Sequence, residues 1–387
     1  MYEFHLRWYD RSGVLKNAFV DPLWARFTES VSGDESLVWA LHEDHPAIAD
    51  AAEFDILEVR LRNIDLGIED SGDFVRAFVG ILRDWDLETD EDGLTYYIFY
   101  APHERHILSW RSILWYAGVA NRSEFSGVPA ETIVKTLVQY NCTADASIAN
   151  GRQREGDLAP GMGIDLTIAA DGGNGNILSG SMMGANLLSV LQKINDQAGG
   201  DFSFEWQNLN DWEFDFHPGQ LGDDKSIGAD RVLFSLKNNT MRNPRLRRRG
   251  AQATTAIAAG QGEGTERQIS IVDGPDYIAG NDLETFVDAR NESEAAGREF
   301  RGLARLEELR MSEELSFDVL QTSNQFYSPI AVTGRKTYRA GDLVLAVYGT
   351  EQVRKIEQVI VNWKAPQKDD AFQVAIVTRE VDYAGGS

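Results

Sequence analysis

One cysteine, Cys142, in 387 residues excludes an internal disulfide and a Cys-based zinc site, so folding has to rest on packing. No uninterrupted apolar run reaches the roughly 18 residues of a transmembrane helix. The opening Met1-Tyr2-Glu3-Phe4-His5 lacks the basic region and apolar stretch of a secretory leader. The sequence therefore predicts a protein that neither spans a membrane nor is classically secreted. Basic residues are also short, with 37 Lys and Arg against 61 Asp and Glu and a formal net charge of -24. Such a surface repels phosphate backbones and anionic lipid heads, which disfavours general nucleic-acid binding. Lysine is the scarcer of the two bases. An acid-rich, lysine-poor chain fits a protein working in concentrated salt, and fits a GC-rich genome equally well. There is no Gly-x-Ser-x-Gly elbow, no His-Glu-x-x-His and no Walker loop, so neither an enzyme nor a cofactor is expected.

What is present is mostly β. Phe4-His5-Leu6-Arg7-Trp8-Tyr9 alternates apolar with polar, Asp10-Arg11-Ser12-Gly13 supplies a turn, and Asp55 to Arg62 alternates again. Phe74 to Trp85 and Leu94 to Tyr100 flank the acidic turn Thr89-Asp90-Glu91-Asp92-Gly93, and the whole is expected to be a meander with one buried face. Two helices follow. Ile133, Val134, Leu137 and Val138 form a stripe after Pro129, and Leu187, Leu188, Leu191 and Ile194 form another over Asn186–Ala198, stopped by Gly199-Gly200. A short strand at Ile164–Ala169 and a hairpin Phe202–Trp206 with Trp212–Phe216 complete a small α/β unit. After His217-Pro218-Gly219 the strands resume at Arg231–Leu236, Thr254–Ala259, Arg267–Val272, Glu313–Leu320, Asp342–Tyr348, Arg354–Val361 and Phe372–Val381, with one helix at 291–310.

Four features invite a chemical reading. Gly260-Gln261-Gly262-Glu263-Gly264 imitates a phosphate loop, but Glu263 and Glu266 intrude and strand sequence follows, so a strand-connecting turn is expected. His42/His45 and His103/His106 have a spacing that lets two imidazoles share a metal on a helix. Neither stretch is convincingly helical, and surface or loop histidines are expected instead. Glu88-x-Asp90-x-Asp92-Gly93 opens like a calcium loop, but its twelfth position is Phe99, which favours a solvated hairpin tip. Arg242, Arg245, Arg247, Arg248 and Arg249 form the one basic cluster, read as a local salt-bridge network or a subunit interface rather than a DNA contact.

Taken in order, the sequence resembles the baseplate or tail-tip hub proteins of long-tailed siphophages and archaeal tailed viruses. The likeness rests on Phe4–Gly13, Trp110-Arg111-Ser112-Ile113, Pro129-Ala130-Glu131-Thr132-Ile133-Val134 and Asn186-Leu187-Leu188-Ser189-Val190-Leu191. It continues through Arg231-Val232-Leu233-Phe234-Ser235, Asn243, Gly260–Arg267, Glu284-Thr285-Phe286-Val287-Asp288-Ala289-Arg290 and Tyr338-Arg339-Ala340-Gly341-Asp342-Leu343-Val344.

The resemblance implies a mainly β fold with an α+β insertion: two tail-tube-like β-barrels, at 1–117 and 220–387, about an α/β middle domain at 118–219. It implies a virion structural protein at the distal tail tip, a homotrimer that ends the tail tube, adapts its sixfold symmetry to a threefold tip and passes DNA. The implied partners are the tail tube protein, distal tail protein, tail fibre or spike proteins and tape measure protein. Some relatives carry a lytic or receptor-binding extension, and the ending Gly385-Gly386-Ser387 soon after the last strand argues against one here. A channel lined by polar or acidic groups is expected, since a basic lining would hold phosphates. Two other readings are a carbohydrate-binding or adhesion module using the nine Trp and twelve Tyr as stacking platforms, and a hydrolase using paired acids.

Overall fold

The computed structural model describes residues 2–31, 35–63, 74–280, 282–364 and 372–381; the terminal Gly385-Gly386-Ser387 lies outside them. The first hundred residues supply β1 (Tyr2–Tyr9), β2 (Leu15–Phe19), β3 (Trp24–Ser30), β4 (Ser36–His42), β5 (Ile56–Asn63), β6 (Val75–Ile81), β7 (Asp84–Thr89) and β8 (Thr95–Pro102). In β1 the period-two pattern becomes structure: Tyr2, Phe4, Leu6 and Trp8 are buried, and the residues between them are half-exposed. Asp10 closes the following turn by accepting from the amides of Ser12 and Val14 at 2.9 and 3.0 Å. Gly13 occupies that turn at φ +78°, where a β-carbon would stand 2.4 Å from Leu209 Cα, so only glycine fits.

These strands are not one meander. β1 pairs with both β2 and β5, and β5 with β6, giving a sheet ordered β2-β1-β5-β6, while β3, β4, β7 and β8 enter a second sheet. The run Phe74–Trp85 divides at Leu82-Arg83 because β6 and β7 belong to different sheets. Leu82 is fully buried at the crossing and exchanges backbone hydrogen bonds with Phe54 and Asp55.

The middle segment contains β9 (Glu124–Pro129), α1 (Ala130–Cys142), α2 (Ala159–Met162), β10 (Asp165–Ile168), β11 (Ile177–Ser181), α3 (Leu187–Ala198), β12 (Gly200–Asn208) and β13 (Asp211–Pro218). Asn186 caps α3 by accepting from the Ser189 amide at 3.2 Å, and Gly199 stops it in the left-handed conformation. The apolar stripes of α1 and α3 close over Phe202, Phe204, Trp212, Phe214 and Phe216 of the β12–β13 hairpin to form one core.

The last segment runs through β14 (Leu233–Ser235), β15 (Met241–Arg249), β16 (Thr255–Ala259), β17 (Ile269–Asp273) and β18 (Glu284–Asp288) to α4 (Ala295–Leu309). It ends with β19 (Ser312–Val319), β20 (Gln325–Tyr327), β21 (Lys336–Tyr338), β22 (Leu343–Tyr348), β23 (Thr350–Lys364) and β24 (Phe372–Glu380). The helix expected over 291–310 starts only at Ala295. Buried Glu292 accepts from the Ser181 amide at 3.1 Å and pairs with Arg301 at 2.7 Å, which holds the preceding residues outside the helix.

The second sheet is ordered β15-β19-β24-β23-β3-β4-β8-β7, with β22 also on β23 and β14 on β22. It takes four strands of this path from each end of the chain, joined where β3 lies against β23. A core shared by both ends fills the space between the two sheets. Trp8 packs edge-on against Trp39 and Phe99, and Phe4 stacks on Trp363 at 5.4 Å. Fully burying side chains of this size stabilises the fold by roughly 2–3 kcal/mol each, which makes these contacts its main support. The fold is mainly β with an α/β insertion, as the sequence predicts, and the strand-rich ends are joined into one sheet.

Candidate assembly surface

One face of the eight-strand path carries the buried core, packed by the first sheet under β4 and β8 and by Phe234 under β19, and the other is open among the described residues. Pairing across β3, β4 and β8 sets Arg26, Val38 and Tyr100 on the open face, opposite in sense to Phe27, Trp39 and Phe99 in the core. Through β23, β24 and β19 the same face carries Ile360, Asn362, Gln373, Ala375, Glu314, Ser316 and Asp318. The middle of this face is therefore mixed: charged groups (Arg26, Glu314, Asp318, Arg379), uncharged polar groups and apolar side chains alternate along it.

Its two ends differ. β7 is exposed along its whole length and pairs only with β8 among the described residues. Asp84, Asp86 and Glu88 stand opposite Tyr100, Ile98 and Tyr96 and so belong to the open face, while Trp85 and Leu87 alternate on the other face, 44% and 58% exposed. Beyond β7, Asp90 accepts from the amides of Asp92 and Leu94 at 3.0 and 2.9 Å. This is the solvated acidic hairpin tip expected, and Phe99 is buried in β8.

β15 ends the path at the opposite side and pairs only with β19 among the described residues. Arg242, Arg245, Arg247 and Arg249 face Asp318, Ser316, Glu314 and Ser312 across the ladder, on the open face. Leu246 and Arg248 point the other way, and Leu246 is 44% exposed. Among the described residues no carboxylate lies within ion-pair distance of any of the five arginines, so the expected local salt-bridge network is not formed. Two of the three acids across the ladder are engaged elsewhere: Asp318 accepts from Asn243 at 2.8 Å and Glu313 pairs with Arg354, while Glu314 stands opposite Arg247 without reaching ion-pair distance. Sequence reasoning missed β15 as a strand, although Pro244 within it carries the signature of an edge strand. It also missed the acids of β7, whose alternation with Trp85 and Leu87 was available as a signal.

The histidine pairs do not converge on a metal, and no group of three or more potential ligands occurs among the described residues. His45 caps a short 3-10 turn through the Ala47 amide, and the His42 ring accepts from the Asp44 amide at 3.2 Å. His106 bonds Ser109, whereas His103 places Nδ1 3.0 Å from Glu35 in a cavity of about 220 Å³ that Glu29, Glu104 and Arg105 also line. Burial pushes Glu29 up to about 7, against a 3.1 Å hydrogen bond from the Tyr327 hydroxyl. Burial likewise raises Glu104 well above the ordinary range, whereas burial at Glu35 is outweighed by Arg105 and His103, which hold it low. Gly260–Gly264 joins β16 to β17, and Arg267 donates to the carbonyls of Gly260 and Ala259, so the loop is a braced strand connection. Of the nine tryptophans, Trp8, Trp39, Trp206, Trp212 and Trp363 are buried, which leaves few for a stacking platform.

No curated protein sequence matches the chain. Among solved structures it is similar to the 43 kDa tail protein of prophage MuSo2 from Shewanella oneidensis, at 12% identity over 97% of each chain and a TM-score of 0.51. It is also similar to the tail protein from Neisseria meningitidis MC58, at 11% identity over 98% of this chain and 96% of that one, with a TM-score of 0.53. At such identities the likeness is one of fold, and it extends over nearly all of the chain. The profile of the Siphovirus ReqiPepy6 Gp37-like proteins matches residues 68–376, most of the sequence, and the chain accordingly belongs to that family.

Proposed function

We propose that the chain is the structural hub of a long-tailed virus tail tip: three copies close into a ring that terminates the tail tube, adapts its sixfold symmetry to a threefold tip and lets DNA pass. The observation that carries this reading is the eight-strand antiparallel path, with its core on one face, open on the other and, among the described residues, unpaired at both edges. Three such paths bring twenty-four strands. At about 4.8 Å between strands and a tilt of about 40°, a closed barrel of that number is about 48 Å across, measured between backbones. The covered face, with the first sheet and the middle segment, would lie outside, and the open face would line the channel. The division at 1–117, 118–219 and 220–387 belongs to the same proposal, each end supplying four strands of the path and so one of six barrel-like units around the ring.

The lining this implies departs from the polar or acidic channel expected, because Arg242, Arg245, Arg247 and Arg249 share the open face. Arginines on a DNA path retard phosphates unless their charge is met by neighbouring carboxylates. The partners proposed are the tail tube protein, distal tail protein, tail fibre or spike proteins, tape measure protein and DNA. No catalytic role and no cofactor are assigned. The test is the mass of the isolated particle in solution: three chains support the ring, and a strictly monomeric species contradicts it.

A further inference from the structure

We infer that the ring closes by adding β7 of one copy to β15 of the next, a head-to-tail seam in which carboxylates meet arginines on the channel face and apolar side chains meet on the other. The inference rests on the ring reading and names the contact that makes it. Three independent features of the edges agree.

The first is charge. Asp84, Asp86 and Glu88 lie on the open face at one end of the path, and Arg242, Arg245, Arg247 and Arg249 lie on the same face at the other. Opposite charges directly across an antiparallel ladder stabilise it, and like charges destabilise it. Within one chain these groups occupy opposite ends of the sheet, and the arginines have no carboxylate at ion-pair distance among the described residues. Only another molecule brings the two rows together.

The second feature is the reverse face. On the reverse face β7 carries Trp85 and Leu87, and β15 carries Leu246 beside Arg248, the three apolar side chains being substantially exposed. Joining the edges buries these apolar groups against one another while the charges pair, because both strands alternate in the same sense. An exposed edge strand with apolar residues is otherwise a template for uncontrolled association.

The third feature is direction. All seven pairings along the path are antiparallel. With eight strands, β15 and β7 run in opposite senses, so rotating a copy about the ring axis sets β7 antiparallel to the next β15. The alternation then continues unbroken around a closed ring, which is the condition for a heterologous contact to make a ring instead of a filament. The seam also answers the electrostatics of the channel, since each arginine row is met by a carboxylate row of the neighbouring copy.

A charge swap tests the seam. The double substitution Arg245→Glu with Arg247→Glu places acids opposite acids and should weaken assembly at least tenfold, read by analytical ultracentrifugation, with an unchanged circular dichroism spectrum. Asp86→Lys with Glu88→Lys should do the same. All four substitutions in one chain restore opposite charges at every seam and should return assembly to within a few-fold of the unaltered protein. If the first two variants assemble like the unaltered chain, or the fourfold variant stays dissociated while folded, the seam is wrong even though the unaltered chain is still trimeric. If the unaltered chain is itself monomeric, the ring reading fails along with the seam.

Discussion

Glu29, Glu35 and Glu104 line one small cavity, yet their carboxyls are driven in different directions. Glu35 faces Arg105 and His103, while Glu29 has a tyrosine hydroxyl and, among the described residues, no cation at ion-pair distance, Arg339 acting on it only from farther off. The fold therefore favours the protonated form of Glu29, whose value of about 7 stands above the ordinary 4.5. The stability this contributes is fully present below about pH 4.5 and is lost as pH rises through about 7. Glu29→Gln keeps the cavity filled without the charge, so it should raise stability at pH 8 by on the order of 2 kcal/mol and leave pH 4 unchanged. Thermal melts of the two proteins at both pH values check this; equal melting at pH 8 would contradict it. None of this was legible in the sequence. Tyr327 lies 298 positions from Glu29, and where the His103/His106 spacing led to an expectation of surface or loop histidines, the structure makes His103 a neighbour of a buried carboxylate.

Elements differ in how much of themselves the local sequence records. α3 was readable at both ends because its cap, stripe and stop all lie within a few residues. Asn186 serves it twice, accepting from Ser189 and donating to the Ser109 carbonyl at 2.6 Å. Asn186→Ala should cost about 1–2 kcal/mol in urea unfolding, and a loss of only a few tenths would show that the cap is dispensable. β4 was missed because Trp39-Ala40-Leu41 is continuously buried, which erases the period-two pattern. β15 was missed because its residues are arginines: read as a charge cluster they describe a surface, and only the ladder to β19 shows that they form the end of a sheet. The acids of β7 were credited to the turn beside them for the same reason.

At the scale of the whole molecule, the order of soft motifs sufficed to point to a siphovirus family, and composition sufficed to describe the charge of the chain. The joining of the two ends through β3 and β23 was not legible, since pairing between residues more than three hundred positions apart leaves no local trace. Charge acts at this scale in two ways. Repulsion between copies of net charge -24 is long-ranged, and seam pairs are short-ranged. The Debye length falls from about 10 Å at 0.1 M to about 3 Å at 1 M, so salt first relieves the repulsion and then weakens the seam. Assembly should be tightest at a few tenths molar NaCl and loosen toward about 2 M, measured as the dissociation constant of the ring. A steady tightening up to 2 M would instead mark the salt-adapted protein that a lysine-poor composition allows.

The central claim is that three copies enclose a channel lined by the open face of the shared sheet. Electron-microscopic imaging of the isolated particle tests it most directly. The account predicts a threefold ring with a continuous wall of strands about 48 Å across between backbones, β7 beside β15 at each of its joints, and the first sheet outside. A particle with no channel, or a ring whose wall is made by the β2-β1-β5-β6 sheet, would contradict it.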